Sequence, residues 1–128
     1  MPVLSDFTII DKNEFVTRSA TPIYSRSFNT GGRHNSNALL DIAILGGFRS
    51  GDENMSVRVR VNGVNITTFT ANRWTSHSTI VYDRISAVVD PSILRSSGNN
   101  TLELIPSWEA NSDYMFLGPI VCHFHQAA

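Results

Sequence analysis

Met55-Ser56-Val57-Arg58-Val59-Arg60-Val61-Asn62-Gly63-Val64-Asn65-Ile66-Thr67 decides the fold. Val57, Val59 and Val61 alternate with Arg58 and Arg60, which is the period of a strand with one face buried. Asn62-Gly63 tolerates the two positive φ angles of a type I′ turn, so Val64-Asn65-Ile66-Thr67 returns as the partner strand of a hairpin. Most apolar positions elsewhere in the chain also alternate, and no window of a dozen residues has a 3.6 period. The chain therefore reads as all-β.

Upstream of the hairpin, Ala38-Leu39-Leu40-Asp41-Ile42-Ala43-Ile44-Leu45 is nearly all apolar, which suits a central strand covered on both faces or lying at a subunit contact. Gly46-Gly47 ends it, and a polar loop, Arg49 to Asn54, leads into the hairpin. Asp6–Ile10 and Ile23–Phe28 read as short strands. Downstream, Thr79–Ile85 and Ala87–Asp90 supply more extended chain. Pro91-Ser92-Ile93-Leu94 forms one helical turn, with Asp90 as its cap and Pro91 preorganised for the first position. Ser96–Asn100 is a turn, Thr101–Ile105 alternates again, and a last strand runs from about Tyr114 to His125, interrupted at Gly118-Pro119. Short strands separated by turn signals in one chain of 128 residues predict a single jelly-roll β-sandwich of about eight antiparallel strands spanning residues 1–128.

Composition narrows the function classes. A chain of this mass buries about two thirds of its surface and needs no staples. Charged residues make up 16% and the net charge is −1, so there is no electrostatic footprint for a phosphate backbone and no nucleic-acid partner is expected. No membrane span is expected either, since the longest apolar run is about four or five residues. Met1 to Asp6 lacks the pattern of a secretory signal, which implies a soluble chain, cytoplasmic or exported by a non-classical route. Cys122 is the one cysteine. It precludes an internal disulfide and reads as a small buried hydrophobe. Asn54, Asn65 and Asn99 open glycosylation sequons, which matter only on a secreted eukaryotic chain. Ser, Thr and Asn supply 36 residues, mainly at outward strand positions and turns. Nine arginines face a single lysine, Lys12. Arginine is preferred where a planar fork meets carboxylates, amides or aromatic faces, so the surface looks suited to contact.

Two segments together resemble the galactose-binding-like jelly rolls, common as carbohydrate-binding modules and as accessory domains of glycoside hydrolases. The first is Val57–Val64, a strand ending in Val-Asn-Gly. The second is Val88-Val89-Asp90-Pro91-Ser92-Ile93-Leu94-Arg95-Ser96-Ser97-Gly98-Asn99-Asn100-Thr101-Leu102-Glu103-Leu104, which carries the D-x-x-x-L turn, G-x-N and an alternating strand. In that arrangement Asp90 caps the turn, Ile93 and Leu94 plug the sandwich edge, and Gly98-Asn99 reverses the chain so that Leu102 and Leu104 enter the core. The resemblance covers scaffold positions and implies a fold more than a ligand.

A sugar site needs a flat ring against the C–H face of a pyranose, with planar polar groups on the hydroxyls. Asn72-Arg73-Trp74-Thr75-Ser76-His77 and Ser107-Trp108-Glu109-Ala110-Asn111-Ser112-Asp113 each hold such a set between strands. The candidate glycan-binding residues are therefore Asn72, Arg73, Trp74, His77, Trp108, Asn111 and Asp113. The plain alternative is that each Trp caps the open end of the sandwich. His123 and His125 lie on one strand face, about 6.6 Å apart by strand rise. With His77 or His34 they could hold a metal, but incidental histidines on an exposed edge strand explain them as well, and no metal site is assigned. A structural calcium would find oxygen ligands at Asp52-Glu53-Asn54, but the spacing is not that of a calcium loop. No cofactor is expected. Two carboxylates at glycosidase spacing cannot be picked without arbitrary choice, and there is no nucleophile elbow, so no enzyme is expected. Two functions remain. One is a non-catalytic, lectin-like module that recognises a glycan or polysaccharide through loop aromatics and amides. The other is a structural or assembly subunit of a homo-oligomer, particle or injection apparatus.

Overall fold

The computed structural model describes residues 3–17, 23–31, 36–47, 55–71, 83–95, 97–107 and 114–127. Among these, nine strands form: β1 (Val3–Asp11), β2 (Glu14–Thr17), β3 (Tyr24–Phe28), β4 (Ala38–Gly47), β5 (Met55–Val61), β6 (Val64–Ala71), β7 (Asp83–Val89), β8 (Asn100–Pro106) and β9 (Tyr114–Ala127). All pairings are antiparallel. One sheet has the order β1-β9-β4-β7, with β2 continuing the edge beyond β1; the other has the order β3-β8-β5-β6. The sheets stack with β1 over β3 and β7 over β6. This is the jelly-roll β-sandwich expected from the alternation.

Alternation sorts the side chains. Val57, Val59 and Val61 of β5, Leu102 and Leu104 of β8 and Tyr24 of β3 face Leu40, Ile42 and Ile44 of β4 and Ile120 and Cys122 of β9, all of them fully buried. Each buried aliphatic side chain stabilises by about 1.5–3 kcal/mol. Cys122 lies in this core, and burial pushes its thiol pKa up to about 12.

Four details differ from the sequence reading. The Ala38–Gly47 strand is central, with Leu40, Ile42 and Ile44 in the core, but its other face is covered only in part: Ala43 is buried and Asp41 half-buried while Leu39 is 37% exposed. The last strand is not an edge strand, because β9 lies between β4 and the β1–β2 edge. Nor does Gly118-Pro119 break it. β9 has two residues there against Ala43 alone on β4, a bulge that accommodates a residue with no N–H to donate. Finally, β2 was not foreseen, while β7 is one strand, so that Ile85 and Ala87 belong to the same element.

The end of the sandwich holding the Asn62-Gly63 turn is tied together by side-chain amides. Asn62 and Gly63 have φ of 51° and 81°, as the type I′ turn requires. The Asn62 Nδ2 group donates to Ile93 O (2.8 Å) and to Asn100 Oδ1 (2.9 Å). Asn62 Oδ1 accepts from Thr101 N (2.9 Å), and Asn62 N donates to Thr101 O (2.9 Å). Asn100, fully buried, accepts a second bond on Oδ1 from Arg95 N (2.9 Å). The intervening turn is closed by Ile93 N on Asp90 O (3.0 Å). Asp90 Oδ1 accepts from Ser92 N and Oγ (both 2.8 Å), which lowers the carboxyl pKa. Leu94 is buried beneath it, and Gly98 reverses the chain at φ 81°.

A second tie closes the long edge between the sheets. Tyr24 Oη donates to Asp11 Oδ2 (2.7 Å). Arg26 lies with Cζ 4.6 Å from the Tyr24 ring centre and pairs with Glu14 (2.8 Å) and Asp11 (3.5 Å). Burial, then the bond to Asp11, raises the Tyr24 pKa far above the usual range.

Two expectations follow from these contacts. Asn62→Ala strands Thr101 N and Ile93 O, removes one of the two bonds to Asn100 Oδ1 and adds strain at positive φ, so it should cost about 2–4 kcal/mol in urea unfolding; a loss below about 1 kcal/mol would contradict the network. Cys122 and Tyr24 are both held protonated in the fold. Their stabilisation is complete below the unfolded values of about 8.5 and 10 and is lost as pH rises through the raised folded values. The melting temperature should therefore fall from about pH 9 upward, less steeply in Tyr24→Phe. A flat profile from pH 8 to 11 would contradict this.

Candidate functional site

The register that buries Val57, Val59 and Val61 turns the intervening residues of β5 outward. On the outer face of the β3-β8-β5-β6 sheet, Arg58 stands opposite Ile105 of β8 and Thr68 of β6, giving the cross-strand row Ile105–Arg58–Thr68. The adjoining row holds Ser56 and Ser107, bound to each other through Ser107 N on Ser56 O (2.8 Å) and Ser56 N on Ser107 Oγ (3.1 Å). With Pro106 these residues line an open recess of about 170 Å³. It offers three hydroxyls, an aliphatic floor and a guanidinium.

The other arginines of the sheets are engaged. Arg26 is held as described, Arg60 Nη2 donates to Gly63 O (3.1 Å), and Arg84 pairs with Asp41 (3.2 Å). Arg58 is exposed and makes no hydrogen bond or ion pair with the described residues. Among the described residues, the nearest carboxylate in register on this face is Glu103, one row away and opposite Arg60.

The recess sits at one end of the sandwich. Met55 pairs with Ala71 and Val57 with Pro106 in this sheet, while Gly47 and Thr17 both pair with Tyr114 in the other. The strand ends flanking residues 48–54, 72–82 and 108–113 therefore gather at the end opposite the Asn62-Gly63 turn. All seven expected glycan residues, Asn72, Arg73, Trp74, His77, Trp108, Asn111 and Asp113, lie outside the described residues, as do His34 and Asp52-Glu53-Asn54. The recess itself went unnoticed in the sequence apart from one signal, the shared face of Arg58 and Arg60.

His123 and His125 belong to β9, on the outer face of the other sheet. His123 stands between Phe7 of β1 and Leu39 of β4, its ring 6.3 Å from that of Phe7 at 43°. Among the described residues no cluster of three His, Cys, Asp or Glu side chains could hold a metal ion. The same row continues to Val88 of β7. Phe7 (58% exposed), Leu39 (37%) and Val88 (59%), with Ile9 (51%) in the next row, make an apolar band on this face, bordered by the Asp41–Arg84 pair. No helix among the described residues is long and apolar enough to cross a membrane.

No protein-family profile matches the chain, and no curated protein matches it in sequence. Solved structures do resemble it. A region of dimeric latent PorU from Porphyromonas gingivalis superposes with a TM-score of 0.71 at 14% identity, covering 98% of this chain and 13% of that one. A native family 35 carbohydrate-binding module from Clostridium thermocellum gives 0.53 at 14% identity, with 94% and 90% covered. A family GH115 4-O-methyl-α-glucuronidase with specificity for decorated arabinogalactans gives 0.52 at 9% identity, covering 81% of this chain and 13% of the enzyme. This chain thus spans only a small part of PorU and of the glucuronidase. At these identities the likeness is one of fold: a jelly-roll sandwich of the kind seen in carbohydrate-binding modules.

Proposed function

We propose that residues 1–128 form a single non-catalytic module of the galactose-binding-like type that binds a glycan or polysaccharide. The observation that carries this reading is the recess of Ser56, Arg58, Thr68, Ile105 and Ser107 at the end where the 72–82 and 108–113 segments join the strands. Hydroxyls and a guanidinium around an aliphatic floor match the alternating polar and C–H surface of a saccharide, and Ser107 directly precedes Trp108. The fold likeness to a family 35 carbohydrate-binding module is consistent with it. In this reading Trp74 and Trp108 stack on sugar rings, and Asn72, Arg73, His77, Asn111 and Asp113 bond hydroxyls.

A second reading, self-association, is favoured by the apolar row Phe7–His123–Leu39–Val88. A two-fold axis parallel to the strands, between β9 and β4, sets Phe7 against Val88 of the partner subunit and His123 against Leu39 of the partner subunit. That makes the face self-complementary, and a net charge of −1 leaves little repulsion between copies. The apolar side chains offer on the order of 400 Å², roughly half of what each partner gives to a standard interface, so a weak dimer is expected.

Each reading has a direct test. On a glycan array the wild-type chain should bind at least one glycan, and Trp74→Ala and Trp108→Ala should each weaken that binding about tenfold or more with folding intact; no binding to any glycan would remove the first reading. In light scattering at rising concentration the mass should climb toward a dimer, and Phe7→Ser with Val88→Ser should abolish the climb. A strict monomer at the highest soluble concentration would remove the second.

A further inference from the structure

We infer that the recess on the outer face of the β3-β8-β5-β6 sheet is a subsite for an acidic saccharide, with Arg58 binding its oxyanion; this rests on the glycan-binding reading and names the ligand class. Three observations converge. Arg58 lines a recess of about 170 Å³ without a partner among the described residues, whereas Arg26, Arg60 and Arg84 are all engaged. A planar guanidinium fork left open beside a cavity suits two parallel N–H···O bonds to a carboxylate.

The surrounding groups select a sugar-borne anion over a bare ion. Ser107 Oγ accepts from Ser56 N at 3.1 Å, which fixes its position and leaves its own O–H to donate into the recess. Thr68 adds a second hydroxyl in register with Arg58 from β6, and Ile105 supplies an apolar surface in register from β8. An oxyanion on Arg58 therefore has a pyranose-sized patch of mixed character next to it. Glu103 stands in register with Arg60, one row removed from Arg58, so Arg58 is the charged group that lines the recess among the described residues. Carboxylates of uronic acids and sulfate esters share this chemistry.

The test is affinity electrophoresis and calorimetry of the full chain with polygalacturonate, a sulfated galactan and a neutral galactan, run with Arg58→Gln, Arg58→Lys, Thr68→Val and, as a charge-matched control on the opposite sheet, Arg84→Gln. Arg58 is exposed, so the melting temperature of its variants should match wild type. Arg58→Gln should weaken binding to an acidic polymer about tenfold or more, Arg58→Lys should recover only part of it, and Arg84→Gln should leave it unchanged. Dependence on polygalacturonate identifies the carboxylate as the source, and dependence on the sulfated galactan identifies the ester. The inference is overturned if Arg58→Gln binds both acidic polymers as wild type does, or if Arg84→Gln weakens them equally. Neutral galactan bound through the Trp residues, with acidic polymers ignored, also overturns it while leaving the glycan-binding function intact. No binding to any of the three overturns the inference, and the glycan array then decides the wider reading separately.

Discussion

The Asn62 side-chain amide donates to two oxygens and accepts from one backbone N–H, and so fixes the β5–β6 hairpin to two segments distant from it in sequence, the turn ending at Arg95 and the start of β8. In a sandwich this matters more than the energy of three hydrogen bonds. Strand side chains alternate with period two, so a one-residue slip of β8 against β5 would turn Leu102 and Leu104 out to water and bring Thr101 and Glu103 in. The amide knot sits where such a slip would begin. Hydrophobic burial supplies most of the free energy, but it is non-directional; the knot selects the one register in which the apolar residues of both sheets meet.

The same register composes the recess. With Val57, Val59 and Val61 committed inward, Arg58 has no choice of side, and its cross-strand neighbours are then Ile105 and Thr68. A sheet face of this kind is rigid, held by ladders on both sides, so a group presented from it is preorganised in a way a loop side chain is not. The low charge of the whole chain adds to the effect. Among the described strand residues, Arg26 and Arg84 pair with Glu14 and Asp41 and Arg60 donates to a backbone carbonyl, while the Arg58 guanidinium has no such partner.

What could be read from the amino-acid order was whatever is local. Alternation through Met55–Val61, the positive φ angles demanded at Asn62-Gly63 and the Asp90 cap are all encoded within a few neighbouring residues, and each is found in the structure. The interior position of β9 was not legible, because strand order depends on pairings across eighty residues, and a Gly-Pro step looks like a break until a bulge absorbs it. β2 was hidden for a related reason: Glu14 and Phe15 do not advertise a strand until β9 offers them an edge. The recess was half legible. Arg58 on an outward face could be read directly, but Ile105 and Thr68 become its neighbours only once two further strands are in register. The seven loop residues expected to touch a glycan belong to segments outside the described residues, so they stand as chemistry on sequence grounds alone.

The two ends of the sandwich are built on different principles, and this bears on how such a chain can drift. At the Asn62 end the amide oxygens of Asn62 and Asn100 and the Asn62 amide nitrogen are shared among several bonds, so a replacement of either residue disturbs more than one bond at once. At the opposite end the strand termini meet with no comparable knot among the described residues, and residues added or exchanged beyond Gly47, Ala71 or Ser107 leave the amide network untouched. A lineage carrying this scaffold could therefore exchange the segments that join these strand ends repeatedly while the far end stays fixed, which is a physical route to sequences that share a shape and little else.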